Sequence, residues 1–150
     1  MGVREQLTNR FLEWPVRDLS LAEMAEKLDV SGGRLRRTFA AAQDSPQNCR
    51  LLSHIVGIER WGQSRLRVAL GAALARDEYD GYRPPRAATW AELQDAFCDT
   101  RQETVALSRQ LAQAGLSEVT VPHNQFGGLT VRSWLRYLDV HASWEAKKLR

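Results

Sequence analysis

The sequence predicts an all-α protein, and three observations support that fold class. Apolar residues recur at helical spacing through most of the chain, three segments begin with residues typical of helix starts, and no pair of strands is visible. Residues 118–121 could be briefly extended, but they have no evident partner strand. With 150 residues, 43% of them hydrophobic, the chain is expected to form one domain with its own core.

The first 44 residues have two interpretations. In the first, they form one long bundle helix kinked at Pro15, because apolar residues follow a heptad-like stripe that is interrupted at Asp18. The stripe consists of Leu7, Phe11, Trp14, Leu21, Ala25 and Leu28.

In the second interpretation, the same segment contains a helix-turn-helix. Ser20 and Glu23 form a capping box, and Ser31 begins a second short helix. The spacing resembles the DNA-binding half of AraC-type regulators. The arginines of the recognition helix would be Arg34, Arg36 and Arg37.

Two features make this DNA-binding interpretation the alternative rather than the first choice. Asp29 stands where the turn usually has glycine, and Gly32 and Gly33 would each weaken the second helix by roughly 0.5–1 kcal/mol. The formal net charge of +3 is weak support for a nucleic-acid partner, because basic and acidic residues are interspersed.

The next predicted helix spans residues 46–75. Ser45 is its candidate N-cap, and Pro46 occupies the first helical position, where proline is favoured. His54 lies on an apolar face of this helix. The other residues of that face are Leu51, Ile58 and Trp61.

Two further helices are predicted in the second half of the chain. One begins with a capping box of Thr89 and Glu92 and ends at about residue 114, before Gly115. The other begins at Thr130 and continues to the end of the chain. The connections between the three helices are residues 77–88 and 115–129.

The last helix carries two metal-ligating side chains on its inward face. Trp134, Leu138, His141 and Glu145 follow one another at steps of four, three and four residues, which places them on one stripe. An imidazole and a carboxylate four residues apart can bind one ion. A third ligand must come from another helix, and His54 is the candidate.

A divalent cation would satisfy these polar groups in an apolar setting. A polar group buried without a partner costs roughly 2–7 kcal/mol, so three such groups need a common partner. The sequence therefore predicts a metal site formed by His54, His141 and Glu145.

Other features favour a cytoplasmic protein without a membrane partner. Cys49 and Cys98 are isolated in sequence, which is typical of reduced thiols. The start is charged from the fourth residue and does not look like a secretory signal. Residues 68–75 form the longest weakly polar stretch, and they are too few to cross a bilayer.

Three sequence blocks within residues 50–150 resemble the DinB-like (DinB/YfiT-like) superfamily of metalloenzymes, in the family's order. The blocks are LLSHIVGIERWGQSRL, YDGYRPPRAATWAELQDAF and FGGLTVRSWLRYLDVHASWE. This resemblance implies a four-helix bundle with long connections after its second and third helices. It also implies a small-molecule substrate and a homodimer.

The resemblance also implies a divalent metal, zinc or nickel, held by three histidines. One histidine comes from the second helix and two, four residues apart, come from the fourth. His54 and His141 match the first two positions, whereas Glu145 stands where the family has the third histidine. Two histidines and a carboxylate are a ligand set used for zinc and for non-haem iron. Lys148 replaces the glutamine that usually follows.

The chemistry implied by the resemblance is that of an enzyme, for example an S-transferase that uses a low-molecular-weight thiol. Tyr79, Tyr82 and Arg83 after the second helix, and His123 with Asn124 before the fourth, are candidates for the pocket rim. His123 could also replace Glu145 as the third ligand. A third functional class, a degenerate metal-free bundle that acts as a binding protein, follows if the missing histidine has cost the site its ion.

Overall fold

Five α-helices and one β-hairpin make up the computed structural model, which describes residues 2–150. The prediction of a mainly helical protein is confirmed, although the hairpin was not predicted. The helices are α1 (Val3–Thr8), α2 (Leu21–Ala41), α3 (Pro46–Ala69), α4 (Trp90–Gln113) and α5 (Val131–Ala146). The strands are β1 (Thr120–His123) and β2 (Gly127–Thr130).

The four long helices begin where their capping residues predict. The hydroxyl oxygens of Ser20, Ser45, Thr89 and Thr130 each accept a hydrogen bond from a backbone N–H three residues later. These bonds satisfy N–H groups that have no partner within the helix. The capping boxes that start α2 and α4 are both complete.

Helix α3 ends six residues earlier than predicted. Gly71 has a φ of 103°, which leaves the helical region, and its N–H donates to the Val68 carbonyl at 3.0 Å. The N–H of Ala72 closes the end by donating to the Arg67 carbonyl at 3.0 Å. Residues 71–73 are exposed, so no apolar contact favours continuing the helix.

Helix α2 is continuous, which makes the helix-turn-helix interpretation wrong. Ser31 does not begin a second helix, because it is buried in the middle of α2. Helix α4 comes close to α2 at the next residue, Gly32, where a Cβ would lie 2.7 Å from Cγ of Arg101. Gly32 therefore reflects the close packing of α2 against α4.

The interpretation of this segment as a single long helix is also wrong, because the chain forms two non-α-helical turns before α2. Asn9–Glu13 form a π-helical turn and Trp14–Val16, which include Pro15, form a 3-10 turn. These turns rotate the faces of the segment, so Leu12 and Val16 are buried in place of the predicted residues. Leu21, Ala25 and Leu28 are buried as predicted. The exposed members of the predicted stripe are Leu7 at 49%, Phe11 at 59% and Trp14 at 59%.

The four long helices pack side by side in a ring. Helix α2 contacts α4 and α5, and α3 contacts the same two helices from the other side. Gly62 allows α3 and α5 to approach closely, because a Cβ there would lie 2.4 Å from Cδ2 of Leu138. None of the helices within residues 2–150 is long and apolar enough to cross a membrane.

A buried ionic network joins these four helices. Arg101 on α4 donates two hydrogen bonds to the carboxylate of Glu59 on α3, at 2.7 and 3.0 Å. Its third nitrogen donates to Ser31 on α2 at 2.8 Å and lies 3.4 Å from Asp139 on α5. Glu59, five residues after His54, thus has its carboxylate in this network.

The hairpin corrects the prediction of no strand pairing. Strands β1 and β2 are antiparallel, with Thr120 opposite Thr130 and His123 opposite Gly127. Strand β2 begins with two glycines, which are unfavourable in strands, so the sequence pattern did not indicate it. Arg65 of α3 fixes the hairpin by donating to the Pro122 carbonyl at 2.7 Å.

Candidate metal centre

The three predicted ligands meet between α3 and α5. One donor atom from each of His54, His141 and Glu145 lies within 4.8 Å of the others. The two Nε2 atoms of the histidines are 3.1 Å apart. Zn–N bonds of about 2.0–2.1 Å at a tetrahedral angle place two nitrogens roughly 3.4 Å apart, so this separation is close to that of a shared ion.

Helix packing positions these side chains. Trp134 and Leu138 are buried on the inward stripe of α5, and the same stripe carries His141 and Glu145 towards α3. The chain end beyond Glu145 is also held in place. Asn48 of α3 donates to the Arg150 carbonyl at 2.7 Å and accepts from its N–H at 3.3 Å.

Both histidines are held in the neutral form that binds metals. Burial, together with the neighbouring His54, lowers the pKa of His141 to about 4. The pKa of His54 is also lowered by burial, against the opposing charge of Glu145. Neutral imidazoles offer a lone pair to a cation without first losing a proton.

Glu145 is ionised and is paired with a lysine. Nζ of Lys148 lies 2.9 and 3.0 Å from the two carboxylate oxygens. Partial burial raises the pKa of Glu145, but the hydrogen bond and charge of Lys148 outweigh burial, so the pKa is lowered. The ammonium group thus neutralises the carboxylate that would bind a metal. Lys148 is largely exposed and its long side chain can turn towards solvent.

Arg83 contacts the other side of the site. Its Nη2 lies 3.4 Å from Nδ1 of His54, and its guanidinium lies over the ring of Tyr79, 5.5 Å from the centroid. Gly57 makes room for this loop, because a Cβ there would lie 2.8 Å from Cγ of Arg83. A histidine bound to a metal through Nε2 has its proton on Nδ1, so Arg83 would need to turn away.

Two other predicted rim residues have structural contacts. The hydroxyl of Tyr82 donates to Oδ2 of Asp77 at 2.6 Å and stabilises the loop after α3. Asn124 accepts from Arg65 at 2.9 Å and donates to the Asp77 carbonyl at 3.0 Å. Together they connect the loop to the hairpin.

His123 belongs to the core rather than to the pocket rim. It is 5% exposed, and its Nδ1 accepts from the N–H of Gln125 at 3.0 Å. Burial lowers its pKa to about 4, and the charge of Arg65 contributes. Its position outside the group of three donor atoms means that it does not replace Glu145. The aromatic rings packed around it are Trp61, Phe126, Trp134 and Tyr137.

Two cavities lie near the candidate metal centre, one lined by Arg83, which contacts His54, and the other lined by His141. One, of about 770 Å³, is formed by the start of α3 and the loop after it, and Arg50, Arg83 and Arg86 line it. The other, of about 630 Å³, lies between α1 and α5 and reaches His141. The sequence reasoning missed this second cavity because it assigned Leu7 and Phe11 to the core.

Comparisons with protein-family models, with curated proteins and with solved structures find no match for this chain.

Proposed function

We propose that this protein is a divalent-metal-dependent enzyme that acts on a small molecule, with His54, His141 and Glu145 as the metal ligands. The observation that carries the proposal is the convergence of three donor atoms within 4.8 Å from two separate helices. The packing of four long helices is compatible with the DinB-like four-helix bundle that the sequence blocks suggest.

The donor set fits a divalent ion in kind and in charge. Two neutral imidazoles and one carboxylate would leave coordination positions for water or substrate, as in catalytic zinc sites. The lone pairs are accessible, because the pKa values of both histidines lie below their usual range. Zinc or nickel is the proposed ion.

A bound divalent ion would act as a Lewis acid towards a substrate oxygen or sulfur. Around it, the protein supplies orientation and a hydrogen-bond donor. Burial, together with the charge of Glu145, raises the pKa of Tyr137 to about 12, so its hydroxyl remains a hydrogen-bond donor at neutral pH. Arg83 can bind a carboxylate or phosphate in two-pronged geometry when it leaves His54.

The resemblance to the DinB-like superfamily extends the proposal to a reaction class and an assembly. Transfer to or from a low-molecular-weight thiol is the proposed reaction, with the thiol as co-substrate. A homodimer is the proposed assembly. Both proposals rest on the sequence blocks, and their support is the order and spacing of those blocks along the chain.

A metal-free binding protein is the second candidate, and one contact favours it. Lys148 satisfies both carboxylate oxygens of Glu145, so this chain can neutralise its third ligand without an ion. In that case one histidine would donate a hydrogen bond from its Nε2 to the Nε2 of the other, as their 3.1 Å separation allows.

Elemental analysis of protein purified without chelator separates these candidates. The enzyme proposal expects about one divalent ion per chain in the wild type and loss of that ion in His54→Ala. His123→Phe is the control, because it removes a histidine outside the donor group and keeps an aromatic ring in the core. Metal-free wild-type protein that also fails to bind added zinc or nickel would favour the second candidate.

A further inference from the structure

An apolar groove runs between α1 and α5, and His141 forms part of its wall. The groove has a volume of about 630 Å³, within the range of small-molecule pockets. His141 is neutral, and the charged side chain that lines the groove is that of Arg4. Apart from Thr8 and Gln125, the remaining lining residues are apolar or aromatic: Leu7, Phe11, Leu12, Phe126, Tyr137, Val140 and Trp144.

Three large apolar side chains of the groove are extensively exposed to solvent. Leu7 is 49% exposed, Phe11 is 59% exposed and Trp144 is 67% exposed. Contiguous apolar surface of this kind marks a binding site more often than does an isolated exposed residue. The apolar residues that the N-terminal segment does not place in the core are therefore available to a ligand.

The wall formed by the N-terminal segment is fastened to α5. Arg136 donates to the Phe11 carbonyl at 2.8 Å. The carboxylate of Glu13 accepts from the N–H of Thr130 at 3.1 Å and from its hydroxyl at 2.8 Å. These bonds hold Phe11 opposite α5, so the groove is formed before any ligand arrives.

We infer that this groove binds the apolar part of the substrate, an alkyl or aromatic group, with the reacting polar end at His141. The inference rests on the proposed function, because it assigns the substrate class of the same metal site. A volume of about 630 Å³ is in the range of pockets that hold small molecules, and the largely apolar lining favours an apolar group in it. The groove thus favours an apolar small molecule, and the separate cavity lined by Arg50, Arg83 and Arg86 is available to an anionic co-substrate.

The first test measures the groove alone, in full-length protein without metal. Straight-chain alcohols from butanol to nonanol displace a fluorescent naphthalene sulfonate dye, and the affinity is compared along the series. We expect about a fourfold gain per methylene group until the groove is filled. Phe11→Ser should weaken the longer alcohols at least fourfold.

Trp14→Ser is the matched control. Trp14 is 59% exposed, as Phe11 is, and lies in the same segment, but it does not line the groove. Equal alcohol affinities in wild type and Phe11→Ser, or equal losses in both variants, would overturn the inference. A dimer that Phe11→Ser converts to a monomer, with no alcohol binding, would also overturn it, because a second copy would then cover the groove.

The second test links the groove to the metal. Alkanethiols of the same chain lengths are titrated into zinc-loaded and metal-free protein, and we expect at least tenfold tighter binding to the loaded form. Equal alkanethiol affinities in zinc-loaded and metal-free protein would overturn the inference that the groove binds the substrate of the metal site. Failure of the proposed function appears separately, as absence of metal in the elemental analysis, and leaves the alcohol series interpretable.

Discussion

Nζ of Lys148 lies within 3.0 Å of both carboxylate oxygens of Glu145, the third of the proposed metal ligands. A metal and this ammonium group therefore compete for the same carboxylate. Exposed ion pairs contribute about 0.2–1 kcal/mol, which sets the scale of the competition.

Replacing this lysine should strengthen metal binding. Lys148→Gln removes the competing charge, and we expect zinc affinity to rise about two- to fivefold, as measured by competition with a chromophoric chelator. Lys147→Gln is the control, because Lys147 is exposed and makes no ion pair within the described residues. An unchanged affinity in Lys148→Gln would show that Lys148 leaves Glu145 at no measurable cost.

The identity of the third ligand is tested by two substitutions at position 145. Glu145→His restores the three-histidine set, and we expect it to retain at least as much metal as the wild type after dialysis. Glu145→Gln keeps the size of the side chain but removes its charge, and it should lose metal at least tenfold more readily. If both variants retain metal equally, Glu145 is not a ligand.

Stability should fall as the pH drops below neutrality. His123 has a pKa of about 4 in the folded protein, compared with about 6.5 when unfolded. Between these values the unfolded chain binds a proton that the folded chain does not, so acid favours unfolding. The free energy of unfolding should decrease by at most about 1.4 kcal/mol per pH unit from this residue.

Urea unfolding at pH 7, 6, 5 and 4.5 measures this dependence. His123→Phe removes the titrating group and should flatten the profile, with the remaining slope due partly to His141, whose pKa is also about 4. A profile with the same slope in both proteins would mean that His123 is protonated at little cost.

Adjacent glycines in α2 should respond in opposite directions to alanine. A Cβ at Gly32 would lie 2.7 Å from Cγ of buried Arg101, so Gly32→Ala should destabilise the protein by about 1–3 kcal/mol. At Gly33 the nearest atom is 3.8 Å away, at the end of the Arg37 side chain. Gly33→Ala should therefore stabilise the helix by about 0.5–1 kcal/mol. Thermal or urea unfolding measures both, and equal effects would show that α2 and α4 do not approach closely at Gly32.

Local signals were sufficient to predict much of this structure. A capping residue acts on backbone groups three positions away, so Ser20, Ser45, Thr89 and Thr130 could be read without knowledge of the fold. The alignment of His141 and Glu145 follows in the same way from the helical repeat. That His54 meets them depends on which helices pack together, and the resemblance to a known family suggested that pairing.

The remaining features depend on long-range contacts that leave weak marks in the sequence. The π-helical turn at Asn9–Glu13 rotated the N-terminal apolar stripe, so Phe11 lines a groove instead of the core. Gly32 was read as a residue that weakens a short second helix, because Arg101, which packs against it, is 69 residues away in sequence. His123 looked like a loop residue until the aromatic rings around it were in place.

The buried pairing of Arg101 with Glu59 also bears on how α3 and α5 are aligned lengthwise. Asp139, at the edge of this network, is two residues from His141, and Glu59 is five residues from His54. If either helix moved along its axis by one turn, a charged group of the network would be buried without its partner, at a cost of several kcal/mol. The network therefore fixes the axial register of α3 and α5 and with it the alignment of the two imidazoles, although none of its members hydrogen-bonds to them.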